Sequence, residues 1–222
     1  MIVLHHLEHS RSQRIIWLLE ELGVEYDIQR YERDKETYLA PASLKKIHPL
    51  GKSPVITDGD KTIAESGLIV EYLIRRYGRE RLMPSEDSDD YWDYLYWMHY
   101  AEGSLMPLMV MSLIFTRIET APVPFFVKPI AKGIVNKVRA GFIRPNIDTH
   151  MQHIENHLNG RQWFVGEQLS GADIQMIFPL EAALNRGVDG SRYPNIQRFV
   201  NQVHGLDHYK TALQKGGPYA YA

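Results

Sequence analysis

Cysteine is absent from all 222 residues. That excludes disulfides, thiolate-bound zinc, iron–sulfur clusters and any cysteine nucleophile. No uninterrupted apolar run approaches the roughly 18 residues of a spanning helix. Met1-Ile2-Val3-Leu4-His5-His6 lacks the basic start and cleavage site of a secretory signal. Neither sign of charge dominates: 25 Lys plus Arg against 27 Asp plus Glu leave a net charge of −2. A protein living on phosphate contacts is usually basic. The expectation is therefore a cytoplasmic protein with neither nucleic acid nor membrane as a partner. What is present, 44% hydrophobic and 23% charged residues, suits one large globular domain or two small ones. Among ten histidines, His5, His6 and His9 are close together, and His150, His153 and His157 have helical spacing. Without a His-Glu-x-x-His pattern they read as capping or solvated side chains, and no metal is expected.

The first eighty residues alternate between strand and helix signals. Ile2 to Leu7 has strand length, and Ile15, Leu18, Leu19 and Leu22 mark one face of a helix over Gln13 to Leu22, closed by Gly23. Ser10 or Ser12 can cap it. A second strand runs over Tyr26 to Tyr31, and Asp58-Gly59-Asp60 turns a hairpin between Val55-Ile56-Thr57 and Thr62-Ile63-Ala64. Ser66 then caps a helix carrying Leu68, Ile69, Tyr72 and Leu73. Gly78 to Asp90 reads as a linker. Beyond it every signal is helical: a long stretch from Asp90 to Arg117 kinked at Pro107, helices over Lys128 to Gly141 and Ile143 to Leu158, a capping box Ser170-Gly-Ala-Asp173, and a final helix from Pro194. Two domains follow, α/β over residues 1–82 and all-α over residues 89–222.

Three short segments carry chemistry. Ser10-Arg11-Ser12-Gln13-Arg14 sits where the first strand hands over to the first helix. A helix start offers unpaired N–H groups and about half a positive charge, and a hydroxyl there can donate to a bound thiolate. Lowering a thiol pKa from about 8.5 by ~2 units requires ~2.7 kcal/mol. One charge-assisted hydrogen bond of ~1.5–3 kcal/mol plus the dipole supplies that. Equally, both serines can be plain caps. In His48-Pro-Leu-Gly-Lys-Ser-Pro54, the Ser53–Pro54 bond is a candidate cis peptide that turns the backbone of Ser53 toward a peptide-like ligand, while Lys52 can meet a carboxylate. Glu65 and Ser66, at another helix start, suit a ligand ammonium and carboxylate. Together the segments ask for an amino-acid head, an extended peptide middle and a second carboxylate.

In order and spacing, Ser10-Arg-Ser-Gln-Arg-Ile-Ile-Trp-Leu-Leu-Glu-Glu-Leu-Gly, His-Pro-Leu-Gly-Lys-Ser-Pro54, Ala-Glu-Ser66-Gly-Leu-Ile and Leu169-Ser-Gly-Ala-Asp173 resemble the glutathione transferase family over nearly the whole chain, nearest to its serine-type, theta-like bacterial and fungal members. The resemblance implies a thioredoxin-like N-terminal domain, an all-helical C-terminal domain and a homodimer. It places Ser10 at the thiol, with Ser12 as fallback. Lys52 would bind the glycine carboxylate, Ser53 beside Pro54 the cysteinyl backbone, and Glu65 with Ser66 the γ-glutamyl head. Asp173 would serve folding. Glutathione enters as co-substrate, no cofactor is needed, and the partner is a hydrophobic electrophile, with attack on hydroperoxides as a side activity. Met106, Met109, Met111, Phe115, Phe125 and Phe126 are numerous enough to line its pocket, and Tyr94 and Tyr100 are candidate donors to it. The alternative is a non-catalytic glutathione-binding or scaffold protein on the same fold.

Overall fold

The computed structural model describes residues 1–222, apart from the side chains of residues 79 and 80. Strand β1 (Ile2–Leu7) lies inside a four-stranded sheet of order β2-β1-β3-β4. It pairs in parallel with β2 (Tyr26–Tyr31), from Ile2 opposite Tyr26 to Leu7 opposite Tyr31. On its other edge it runs antiparallel to β3 (Val55–Asp58), which turns into β4 (Lys61–Ala64). Its sequence, Ile-Val-Leu-His-His-Leu, shows no alternation, which fits a strand whose residues, both histidines included, are nearly all buried. Helix α1 (Ser12–Leu22) connects the parallel pair and ends at Gly23, whose φ of +66° places its N–H on the carbonyls of Leu19 and Glu20 at 3.1 Å. The α1 core residues Ile15, Leu18 and Leu19 share one cluster with Ile69, Val70 and Leu73 of α2 (Ser66–Tyr77). This is a thioredoxin-like α/β unit.

From α3 (Arg79–Leu82), which lies in the expected linker, every further regular element is helical. Helices α4 (Asp90–Tyr100) and α5 (Met106–Thr120) are joined by a π-turn at Ala101–Leu105. The interruption falls just before Pro107, whose missing N–H is tolerated in the first turn of α5. Residues Asp90–Thr120 are together long and apolar enough to cross a membrane, although no uninterrupted apolar run in them reaches that length. Here they form a helix of the packed layer, burying Tyr94, Trp97, Leu105 and Met109. Helices α6 (Lys128–Val138) and α7 (Arg144–His157) follow, separated by a second π-turn. Helix α8 (Gly171–Asn185) runs through the centre with its residues buried from Gly171 to Ala183. The Asp173 carboxylate holds its start: it accepts from the Ser170 N–H, the Ser170 hydroxyl and the Phe164 N–H, each at 2.8 Å.

After α9 (Pro194–Gly205) the chain forms α10 (Asp207–Gly216), where the sequence reading expected no further helix. Only Tyr209, Ala212 and Gly216 are buried in it, too sparse a stripe to register as periodicity. It nonetheless packs on α1, with the Tyr209 ring edge-on to Trp17 at 5.4 Å and Gln13 Nε2 donating to the Ala212 carbonyl at 2.8 Å. Through α8 and α10, α1 is built into the helical half as firmly as into the sheet.

Candidate active site

At the end of β1 the chain makes a tight turn, with His9 at φ +48°, and enters α1. Arg11, not a serine, occupies the N-cap position and makes no capping bond through its side chain. The Ser10 hydroxyl donates to the Leu7 carbonyl at 2.7 Å and lies 2.8 Å from the Ser12 hydroxyl. Ser12 Oγ lies 2.7 Å from His6 Nδ1, and His6 Nε2 lies 3.1 Å from the Gly216 carbonyl. A carbonyl can only accept, so the His6 proton sits on Nε2 and Nδ1 is the acceptor. Burial pushes the His6 pKa down to about 4, which keeps the ring neutral in this role. The Ser12 hydroxyl is thereby committed to His6 and is wholly buried. Ser10 retains a proton that can be redirected from Leu7.

Ser53 stands next to this turn. Its hydroxyl donates to the His5 carbonyl at 2.9 Å and accepts the Leu7 N–H at 3.2 Å. The Ser53–Pro54 bond is cis. Facing it, Glu65 has φ +72°, rare for a residue with a Cβ, and leads directly into α2. Ser66 is the first residue of that helix rather than its cap, and its hydroxyl accepts from the Arg14 guanidinium. Lys52, Ser53, Pro54, Glu65 and Ser66 line one cavity of about 230 Å³, together with Arg11 and Glu102. The five residues expected from sequence to contact glutathione thus line one cavity; Ser10 does not line it and is connected to Ser53 through Leu7.

Beneath the cavity lies a cluster that sequence reasoning did not assemble. The Arg14 guanidinium, 1% exposed, donates to the Gln175 carbonyl, to Ser66 and to Glu102. Arg11 Nε reaches both Glu102 oxygens at 2.8 and 3.0 Å. Burial pushes the Glu102 carboxyl up, but Arg14 and Arg11 outweigh it and hold the group below its usual range, hence ionised. One signal was available: Glu102 is the lone carboxylate in the apolar stretch between Asp93 and Glu119.

Arg11 and Glu102 also bound a second, mostly apolar cleft of about 460 Å³. Its wall is two i,i+4 rows of α5, Met106-Val110-Ile114 and Pro107-Met111-Phe115. Of the residues expected at an apolar pocket, Met106, Met111 and Phe115 line this cleft and Met109 does not. It lies three residues from Met106, off both rows and 1% exposed, with its carbonyl taken by Arg186. Phe125 and Phe126 lie away from the cleft, exposed between α5 and α6. Tyr100 is likewise corrected: its hydroxyl bonds His150 Nδ1 and its ring packs on Trp97 and His153 of the helical layer. Tyr94 is fully buried beside Gly171. Neither tyrosine lines either cavity. Among the described residues no histidine, aspartate and glutamate cluster could hold a metal ion.

Residues 1–75 match the family described as Glutathione S-transferase, N-terminal domain, and residues 144–207 match Glutathione S-transferase, C-terminal domain. The chain is 38% identical over 215 residues to Glutathione S-transferase 3 of Schizosaccharomyces pombe, covering 97% of this chain and 88% of that protein. It is 32% identical over 223 residues to Glutathione S-transferase 1 of Saccharomyces cerevisiae, covering 97% and 95%. Among solved structures, a glutathione S-transferase from Actinobacillus pleuropneumoniae superposes with a TM-score of 0.82 at 35% identity, covering 99% of this chain and 94% of that one.

Proposed function

The chain belongs to the glutathione S-transferase family, and from that premise we propose that it binds glutathione in the cavity of Lys52, Ser53, Glu65 and Ser66, ionises its thiol at Ser10, and adds the thiolate to hydrophobic electrophiles held in the cleft along α5. The observation that carries this reading is the adjacency of two unlike cavities. One is polar and lined by residues matched to a carboxylate, a peptide and an amino-acid head; the other is apolar; Arg11 and Glu102 bound both. Arg11 follows Ser10 in the chain and bounds both cavities, so a thiolate held at Ser10 would stand near their junction, the geometry a conjugating enzyme requires.

The protein's share of the chemistry is orientation and electrostatics. The α1 N-terminus and the redirected Ser10 proton favour the anion over the thiol. Ser12 and His6 fix Ser10 from behind. The same thiolate attacking a peroxide oxygen gives reduction of organic hydroperoxides as a side reaction. We infer further that the protein works as a cytoplasmic homodimer, to which exposed Trp92 and Tyr96 on α4 supply apolar surface. Retention on immobilised glutathione followed by conjugation assays over a panel of electrophiles tests the reading. Binding without turnover across the panel defeats it in favour of a scaffold.

A further inference from the structure

Arg11 has donors to spare. Only its Nε is engaged, by the two oxygens of Glu102, and its terminal nitrogens donate to no described residue. The side chain is 32% exposed, its guanidinium carbon lies 5.7 Å from the centre of the Phe178 ring, and it belongs to the walls of both cavities. Among the residues lining the apolar cleft it is the one cation; the only other polar side chain there, Glu102, is ionised and can only accept. Electrophiles entering this cleft thus meet an apolar wall and, beside the thiolate, one fork of free N–H groups.

We propose that Arg11 is a catalytic residue on the electrophile side, and that the favoured substrates are apolar α,β-unsaturated carbonyl compounds whose oxygen it binds. This rests on the transferase reading above. The thiolate sulfur bonds to the β-carbon, the C=C pair moves to form the enolate, and the negative charge collects on the carbonyl oxygen, where the Arg11 N–H groups stabilise it. The α-carbon then takes a proton from water, replacing the one the thiol released on ionising. An alkyl halide gives no such oxyanion, because its charge leaves with the halide.

The test compares trans-2-nonenal with benzyl chloride as co-substrates of the full-length protein. Arg11→Gln should lower the ratio of kcat/KM for nonenal to that for benzyl chloride by about 10- to 100-fold, less than for a fully buried oxyanion donor because Arg11 is partly solvated. Arg11→Lys, which keeps the charge but not the fork, should recover part of the ratio. Loss of a cation this near the sulfur should raise the bound thiol's pKa in Arg11→Gln and leave it close to wild type in Arg11→Lys; the thiolate fraction multiplies both rates alike and cancels from the ratio. An unchanged ratio overturns the proposal, whether both rates fall together or neither falls. So does a wild type that conjugates benzyl chloride and not nonenal. A wild type that binds glutathione and conjugates neither defeats the transferase reading itself.

Discussion

Replacing Ser10 with Ala removes the α1-entrance hydroxyl whose proton is not held by His6. In the free protein that proton goes to the Leu7 carbonyl at 2.7 Å. Turning it to a sulfur anion exchanges a neutral hydrogen bond of ~1 kcal/mol for a charge-assisted one of ~1.5–3 kcal/mol. The net preference for the thiolate is ~0.5–2 kcal/mol, centred near one pKa unit at ~1.4 kcal/mol per unit. The bound thiol of Ser10→Ala should therefore titrate about one unit higher, followed as thiolate absorbance against pH in the presence of saturating glutathione. Turnover near neutrality should fall by about tenfold and recover as pH rises. Glutathione affinity should change little, because Lys52, Glu65 and Ser66 are untouched. Ser12→Ala makes the opposite case. It strands His6 Nδ1, so it should lower stability by ~1–3 kcal/mol and shift the thiol far less. A thiol that titrates as in wild type in Ser10→Ala, or a larger shift in Ser12→Ala, refutes the proton assignment.

Glu65→Ala and Ser66→Ala should each weaken glutathione binding by at least ~1 kcal/mol, about fivefold, since each strands a charged ligand group; calorimetry showing unchanged affinity in both would move the γ-glutamyl head elsewhere. His6 has its pKa lowered by burial to about 4 from 6.5, so the unfolded chain takes up the proton first and folding stability falls as pH drops from 6.5 through 4, by ~3 kcal/mol. His6→Asn should flatten that part of the stability-against-pH curve measured by urea unfolding, and curves of equal slope would contradict it. Asp173→Ala leaves the Phe164 and Ser170 N–H groups buried without an acceptor and should cost about 3 kcal/mol of stability; a thermal midpoint matching the wild type would show that the α8 start does not depend on it.

The sheet and the first helix were legible because local signals agree there: a strand-length apolar run, a 3.6-residue apolar face and a Gly23 stop all point one way. The residues of the polar cavity were legible as short motifs. What joins them was not, because the Arg14–Ser66 and Arg14–Glu102 contacts span 52 and 88 residues and leave no periodic trace. The apolar wall was not wholly legible: Tyr100 and Met109 do not line it, for nameable reasons. A π-turn at Ala101–Leu105 adds a residue to the helix and rotates its faces by about 100°. Tyr100, before the turn, therefore faces another side from Met106, while Met109 leaves the wall because it stands three residues from Met106 and not four. Ser66 was misplaced by one residue because Glu65, at positive φ, takes the cap position that a hydroxyl usually holds.

The most direct test of the account is a crystal structure with glutathione bound. The sulfur is expected within hydrogen-bonding distance of Ser10 Oγ, with the γ-glutamyl group at Glu65 and Ser66, the cysteinyl backbone paired with Ser53, and the sulfur's open side facing Met106 and Phe115. A sulfur held by Ser12, or a glutathione lying outside the cavity of Lys52, Ser53, Glu65 and Ser66, would contradict it.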